Sequence, residues 1–145
     1  MTDASPPPVR TDQEVQHLVD DVVGEPLRPQ VWVLLLDPGD RPLPVVMPID
    51  DLPAVAARVE AARFVTELDG IAREAGARSV VLAWERPAPD DLTPTEAAWA
   101  RHVVEAFAGR RARLGALVLV HDRGVRRLDP GTAAGTAFAR RARAG

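Results

Sequence analysis

Four residue types are missing from this 145-residue chain: cysteine, lysine, asparagine and tyrosine. Without cysteine there is no disulfide, no thiol nucleophile, no iron–sulfur cluster and no thiolate zinc site. Without lysine there is no Walker-type phosphate loop, so the Gly-rich stretch over residues 131–136 reads as a linker. Serine is reduced to Ser5 and Ser79, neither inside G-x-S-x-G, which excludes a serine triad of that type. No apolar run approaches the roughly 20 residues that span a bilayer, so no membrane association is expected. The opening MTDASPPPVR has no apolar h-region and is not read as a secretory signal, which makes the cytoplasm the simplest location. Lysine, asparagine and tyrosine share AT-rich codons, so their absence points to a GC-rich bacterial genome. All 18 basic residues are arginine, and that bias means an arginine here is not by itself a sign of phosphate or carboxylate recognition.

What is present suits one globular domain. Apolar residues make up 46% of the chain and charged residues 27%, enough for a core with a solvated exterior. The net charge of −3 conceals an asymmetry. Residues 1–100 carry 8 Arg against 18 Asp and Glu, a net of −10; residues 101–145 carry 10 Arg against 3, a net of +7. Such polarity can steer an anionic partner or be compensated within one fold.

Along the chain, residues 1–10 are Pro-rich and aperiodic, and are expected to form a disordered arm. Thr11-Asp12-Gln13-Glu14 is a capping box, and Val15, Leu18, Val19 and Val22 recur at helical spacing up to Gly24. Residues 31–36 form a continuous apolar run suited to a buried strand, with Trp32 in the core. Asp37-Pro38-Gly39-Asp40 is a turn in which Gly39 takes the permissive position, and residues 43–47 return as the second strand of a hairpin. Asp50-Asp51-Leu52-Pro53 opens a long helix whose apolar stripe is Val55, Val59, Ala62, Val65, Leu68, Ile71 or Ala72, and Ala75; Gly70 is a point where it can bend or divide, and Gly76 closes it. Residues 79–84 are a third, central strand. Thr93-Pro94-Thr95-Glu96 is a second capping box with Pro at N1, opening a helix that carries Ala97, Trp99 or Ala98, Val103, Val104 and Phe107. Residues 114–120 and 125–128 complete the strands, and residues 131–145 form an Arg-rich tail. The order α–β–β–α–β–α–β–β, with hairpins and crossovers mixed, predicts an α/β sandwich with a mixed, partly antiparallel sheet flanked by helices.

The order and several local features resemble the RadC-like JAB/MPN domains over roughly residues 11–130. A capped helix precedes a strand ending Leu36-Asp37; a hairpin and long helix lead to the strand ending Trp84-Glu85-Arg86-Pro87; and a Thr93-Pro94-Thr95 element opens the following helix. In active members of that family the strand ends His-x-His-Pro, the next helix carries a Ser and an Asp, and a Glu near the first strand is general base to a zinc-bound water. The resemblance therefore implies a metallopeptidase scaffold, and its site positions depart from the pattern. Trp84 and Arg86 stand for the two histidines, the Asp position falls near Ala98, the Glu position near Pro29 or Gln30, and Thr95 replaces the serine. Zinc needs neutral or anionic donors and an open position for water, which an indole ring and a fixed cation do not supply. The resemblance thus implies no cofactor and no hydrolysis, but a pseudoenzyme serving as a protein-interaction or scaffold module for a partner it does not identify. MPN domains often pair, which is compatible with a homodimer.

Two surfaces are candidates. Trp84, Glu85, Arg86 and Trp99 flank the altered site, where the tryptophans either fill the vacated pocket or present a partner hot spot. Arg86 either pairs with Glu85, Asp90 or Asp91, or lies with them on a solvated loop. Arg110, Arg111, Arg113, Arg140, Arg141 and Arg143, with Arg126 and Arg127, could converge on an anionic partner, the alternative being a DNA-repair-related, nucleic-acid-associated protein; the pI near 5.6 and the absence of interleaved aromatics weigh against it. His17, His102 and His121 show no paired-ligand spacing and are assigned to surface or capping roles.

Overall fold

The computed structural model describes residues 6–49, 58–87 and 92–128. Helix α1, Asp12–Val23, begins as its capping box dictates: Thr11 Oγ1 accepts from the Glu14 amide at 3.1 Å, and Glu14 Oε1 accepts from the Thr11 amide at 2.9 Å. Those backbone donors, Arg10 first and then Thr11, hold the Glu14 carboxyl below its usual range. Gly24, at φ 68°, ends the helix in a conformation that a side chain would strain.

Strands β1 (Gln30–Leu36) and β2 (Pro42–Ile49) form the expected hairpin. Its turn differs in one respect. The left-handed residue is Asp40, at φ 64°, and not Gly39. The Asp37 side chain accepts from the Gly39 and Arg41 amides at 2.8 and 3.0 Å, adding to the backbone bonds from the Asp40 amide to the Asp37 carbonyl and from the Asp37 amide to the Arg41 carbonyl, both 2.9 Å. Helix α2, Arg58–Ala75, leads to β3, Ser79–Glu85; helix α3, Pro94–Phe107, leads to β4, Arg113–His121, and β5, Gly124–Leu128, closes the sheet. The proposed start of α2 at Asp50 to Pro53, with Val55, lies outside the described residues, as do Asp90, Asp91 and the tail beyond Leu128.

The five strands run in the order β2-β1-β3-β4-β5. Only β3 and β4 are parallel, joined by the α3 crossover; the other pairs are antiparallel. The molecule is therefore α/β with a mixed sheet between helices. Alternation along each strand gives two cores. Val33, Leu35, Leu82, Leu117 and Leu119 face α2 and α3, while Leu34, Leu36, Val81, Val118 and Val120 face α1. Each such side chain, fully removed from water, contributes about 1.5–3 kcal/mol before the entropy of ordering is counted.

Helix α2 runs unbroken through Gly70. Its buried stripe is Ala61, Val65, Leu68 and Ala72, so Val59 (67% exposed) and Ile71 (37%) fall outside the face expected of them. Helical geometry accounts for this, since at 3.6 residues per turn Val59 lies opposite Leu68; Asp69, buried beside the stripe, accepts from the Ala112 amide on its Oδ1 at 3.0 Å and ties α2 to the start of β4. Residues 6–10, expected in a loose arm, lie on the hairpin. The Val9 amide donates to the Asp40 carbonyl at 2.7 Å and the Val9 side chain is buried. Among the described residues no helix is long and apolar enough to cross a membrane.

Candidate functional site

The end of β3 meets the first turns of α3. Strand alternation sends Trp84 to the α2/α3 side and Glu85 to the opposite side, and the capping box at Thr93 fixes where α3 begins. Trp84 and Trp99 pack with ring centroids 5.1 Å apart and planes tilted by 59°, and Phe64 lies 5.9 Å from Trp99 on its other side. Both tryptophans are about 95% buried. They fill the space between strand and helix, and as interior side chains they cannot be the exposed hot spot that was the other reading. Beside them Arg86 Nε donates to Glu96 Oε2 at 2.5 Å, with both side chains mostly shielded. Glu96 is also the capping residue of α3, its Oε1 accepting from the Thr93 amide at 2.8 Å. Among the described residues Arg86 thus pairs with Glu96 on the helix and not with Glu85; Asp90 and Asp91 lie outside the described residues.

Glu85 is the least expected of the four. It is 2% exposed and accepts four hydrogen bonds. Oε1 accepts from Gln30 Nε2 and Trp32 Nε1, each at 2.8 Å, and Oε2 accepts from the amides of Leu27 and Arg28 at 2.5 and 3.2 Å. Burial raises its pKa, but the four donors, led by the Leu27 amide, outweigh burial and hold the carboxyl below its usual range. Glu85 is an anionic clasp that ties the segment before β1 to the end of β3. Trp32, expected in the core, is only partly buried because its indole reaches this carboxylate. The antiparallel register puts Gln30 directly opposite Glu85, which sequence spacing does not reveal. The one available signal was a glutamate ending an otherwise apolar strand.

The basic residues do not gather as expected. Arg110 turns toward α2, donating to Thr66 Oγ1 at 2.9 Å and to the Ala106 carbonyl. Arg113, three residues on, faces the α1 side, where it lines a cleft with Arg10, Arg78 and Arg127. Arg111 is exposed between them, and Arg140, Arg141 and Arg143 lie outside the described residues. His17 is exposed, His102 sits near Glu105, and His121 takes the Arg123 amide on Nδ1 at 3.2 Å, closing the β4–β5 turn. Among the described residues no three His, Asp or Glu side chains form a group able to hold a metal. The chain matches no protein-family model and no curated protein sequence.

Proposed function

We propose that this chain is a non-catalytic relative of the RadC-like JAB/MPN hydrolases, working as a protein-interaction or scaffold module. The observation that carries this reading is the filling of the β3–α3 junction. Where the resembled enzymes set metal-binding side chains, this chain sets a packed tryptophan pair and the Arg86–Glu96 ion pair. A guanidinium there repels a cation, and an indole has no lone pair to offer one. Since Trp84, Glu85 and Trp99 are interior, a partner must meet the domain elsewhere. Val45 and Val46, on the two faces of the edge strand β2, and Leu27 (82% exposed) supply separate apolar points for it.

The test is affinity purification from the native host with and without nuclease, comparing the wild type with a Val45→Asp/Val46→Asp variant. A stoichiometric protein partner that survives nuclease and is lost in the variant supports the module. Peptide hydrolysis abolished by a chelator would overturn the non-catalytic assignment. Loss of all co-purifying protein on nuclease treatment would instead favour the nucleic-acid reading through Arg110, Arg111, Arg113, Arg140, Arg141 and Arg143.

A further inference from the structure

We propose that the cleft between α1 and the starting ends of β3 and β4 is a binding site for a small organic dianion, a compact phosphate ester or dicarboxylate. This goes beyond the scaffold reading and stands whether or not the chain is related to the JAB/MPN hydrolases. The cleft lies at the end of the sheet opposite the β3–α3 junction and encloses about 370 Å³, a volume typical of small-molecule sites. Its floor is apolar: Val9, Val15, Leu36 and Val81 are all buried.

Its rim is cationic, with four arginines against a single lining carboxylate, Asp40. Two of the four are already matched. Arg10 Nε pairs with Asp40 Oδ2 at 2.9 Å, and Arg127 pairs with Asp12 on the first turn of α1. Arg78 and Arg113 have no carboxylate partner among the described residues, so the rim keeps an excess of two positive charges.

Backbone geometry brings those two together. β3 and β4 are parallel, so their first residues lie at the same end; the Arg113 amide donates to the Arg78 carbonyl at 2.9 Å, and Ser79 is the register partner of Arg113. Ser79 and Arg113 therefore share the α1 face beside each other. Planar guanidinium forks on a shielded apolar floor suit a group with two or more anionic oxygens, and the Ser79 hydroxyl supplies a further donor. The irregularity in β4 shapes the same space. Gly115 is the extra residue where the β3–β4 register shifts, and a Cβ there would lie 3.6 Å from Ser79 Oγ. A larger side chain at Gly115 would fill the cleft without altering its charge.

The experiment titrates the full chain with butyl phosphate, succinate and, as the uncharged control, butanol, following amide shifts by NMR. Saturable shifts centred on Ser79 and Gly115 with either anion, and none with butanol, are expected; the tighter of the two identifies the headgroup. Arg78→Ser and Arg113→Ser should each weaken binding about tenfold, the worth of one charge-assisted hydrogen bond. Gly115→Leu should abolish it in a protein whose thermal transition persists, and Arg110→Ala, outside the cleft, should leave it unchanged. Absence of saturable binding for both anions overturns the proposal, as does binding that survives Arg78→Ser/Arg113→Ser.

Discussion

Replacing Glu85 by glutamine changes one heavy atom and removes the charge of the clasp. The carboxylate uses both oxygens, two donors on each. An amide keeps one acceptor and turns an NH2 toward the other pair of donors. If the amide oxygen stays with the Leu27 and Arg28 amides, Gln30 Nε2 and Trp32 Nε1 face a donor; the reverse orientation orphans two backbone amides. Either way two hydrogen bonds to a charged acceptor are lost, at about 1.5–3 kcal/mol each, for a total of about 3–6 kcal/mol. Against the roughly 5–15 kcal/mol that holds a domain together, that is a large share.

Urea unfolding followed by tryptophan fluorescence should show the midpoint falling by roughly 2 M at an m-value of about 1–3 kcal/mol per M. The pH dependence supplies a second readout. The folded-state pKa of Glu85 is lowered, so the unfolded chain takes up the proton first as pH falls. Its contribution is complete above the ordinary glutamate range and is lost as pH falls through the depressed value. The wild type should therefore lose stability steeply on acidification, and Glu85→Gln should show a shallower acid limb. A variant within about 0.5 kcal/mol of wild type, with an unchanged acid limb, would refute the clasp.

Trp99→Ala should cost about 3–5 kcal/mol by opening a cavity against Trp84 and Phe64, and should change the emission of Trp84, read by equilibrium unfolding and fluorescence. Asp69→Ala leaves the buried Ala112 amide without its acceptor, so a loss of about 1–3 kcal/mol and faster hydrogen exchange at Ala112 are expected. Arg86→Glu and Glu96→Arg should each destabilise the domain while the double reversal recovers part of the loss. A double-mutant cycle should give a coupling on the order of 1 kcal/mol or more, and additive effects would show that the pair contributes nothing.

Signals written in short stretches of chain were legible in advance. The capping boxes at Thr11 and Thr93 begin α1 and α3 at the expected residues, because both bonds of a capping box join residues three apart. The apolar runs over 31–36 and 79–84 became strands buried on both faces, since no amphipathic element could hide so many consecutive apolar side chains. The element order and the mixed sheet were readable for the same reason. Where a residue's role depends on a distant partner, local pattern was silent or misleading. Helical periodicity puts Val59 opposite Leu68 and so accounts for its exposure, but nothing local signalled that Asp69 would be buried under the Ala112 amide.

The candidate site divides in the same way. That the strand ends Trp84-Glu85-Arg86-Pro87 and that a capped helix start follows at Thr93 are properties of the sequence alone. That Trp84 closes on Trp99, that Arg86 reaches Glu96, and that Glu85 turns inward to four donors were decided by the packing of β1, β3 and α3. The arginines show the division most sharply. Arg110 and Arg113 are near neighbours in the chain, yet the helix end and the first residue of a strand point them to opposite faces of the sheet. Arg78 and Arg113, 35 positions apart, meet because parallel strands must start at the same end. Composition determined how much charge and apolar surface the chain carries; the sheet's register determined which charges share a cleft.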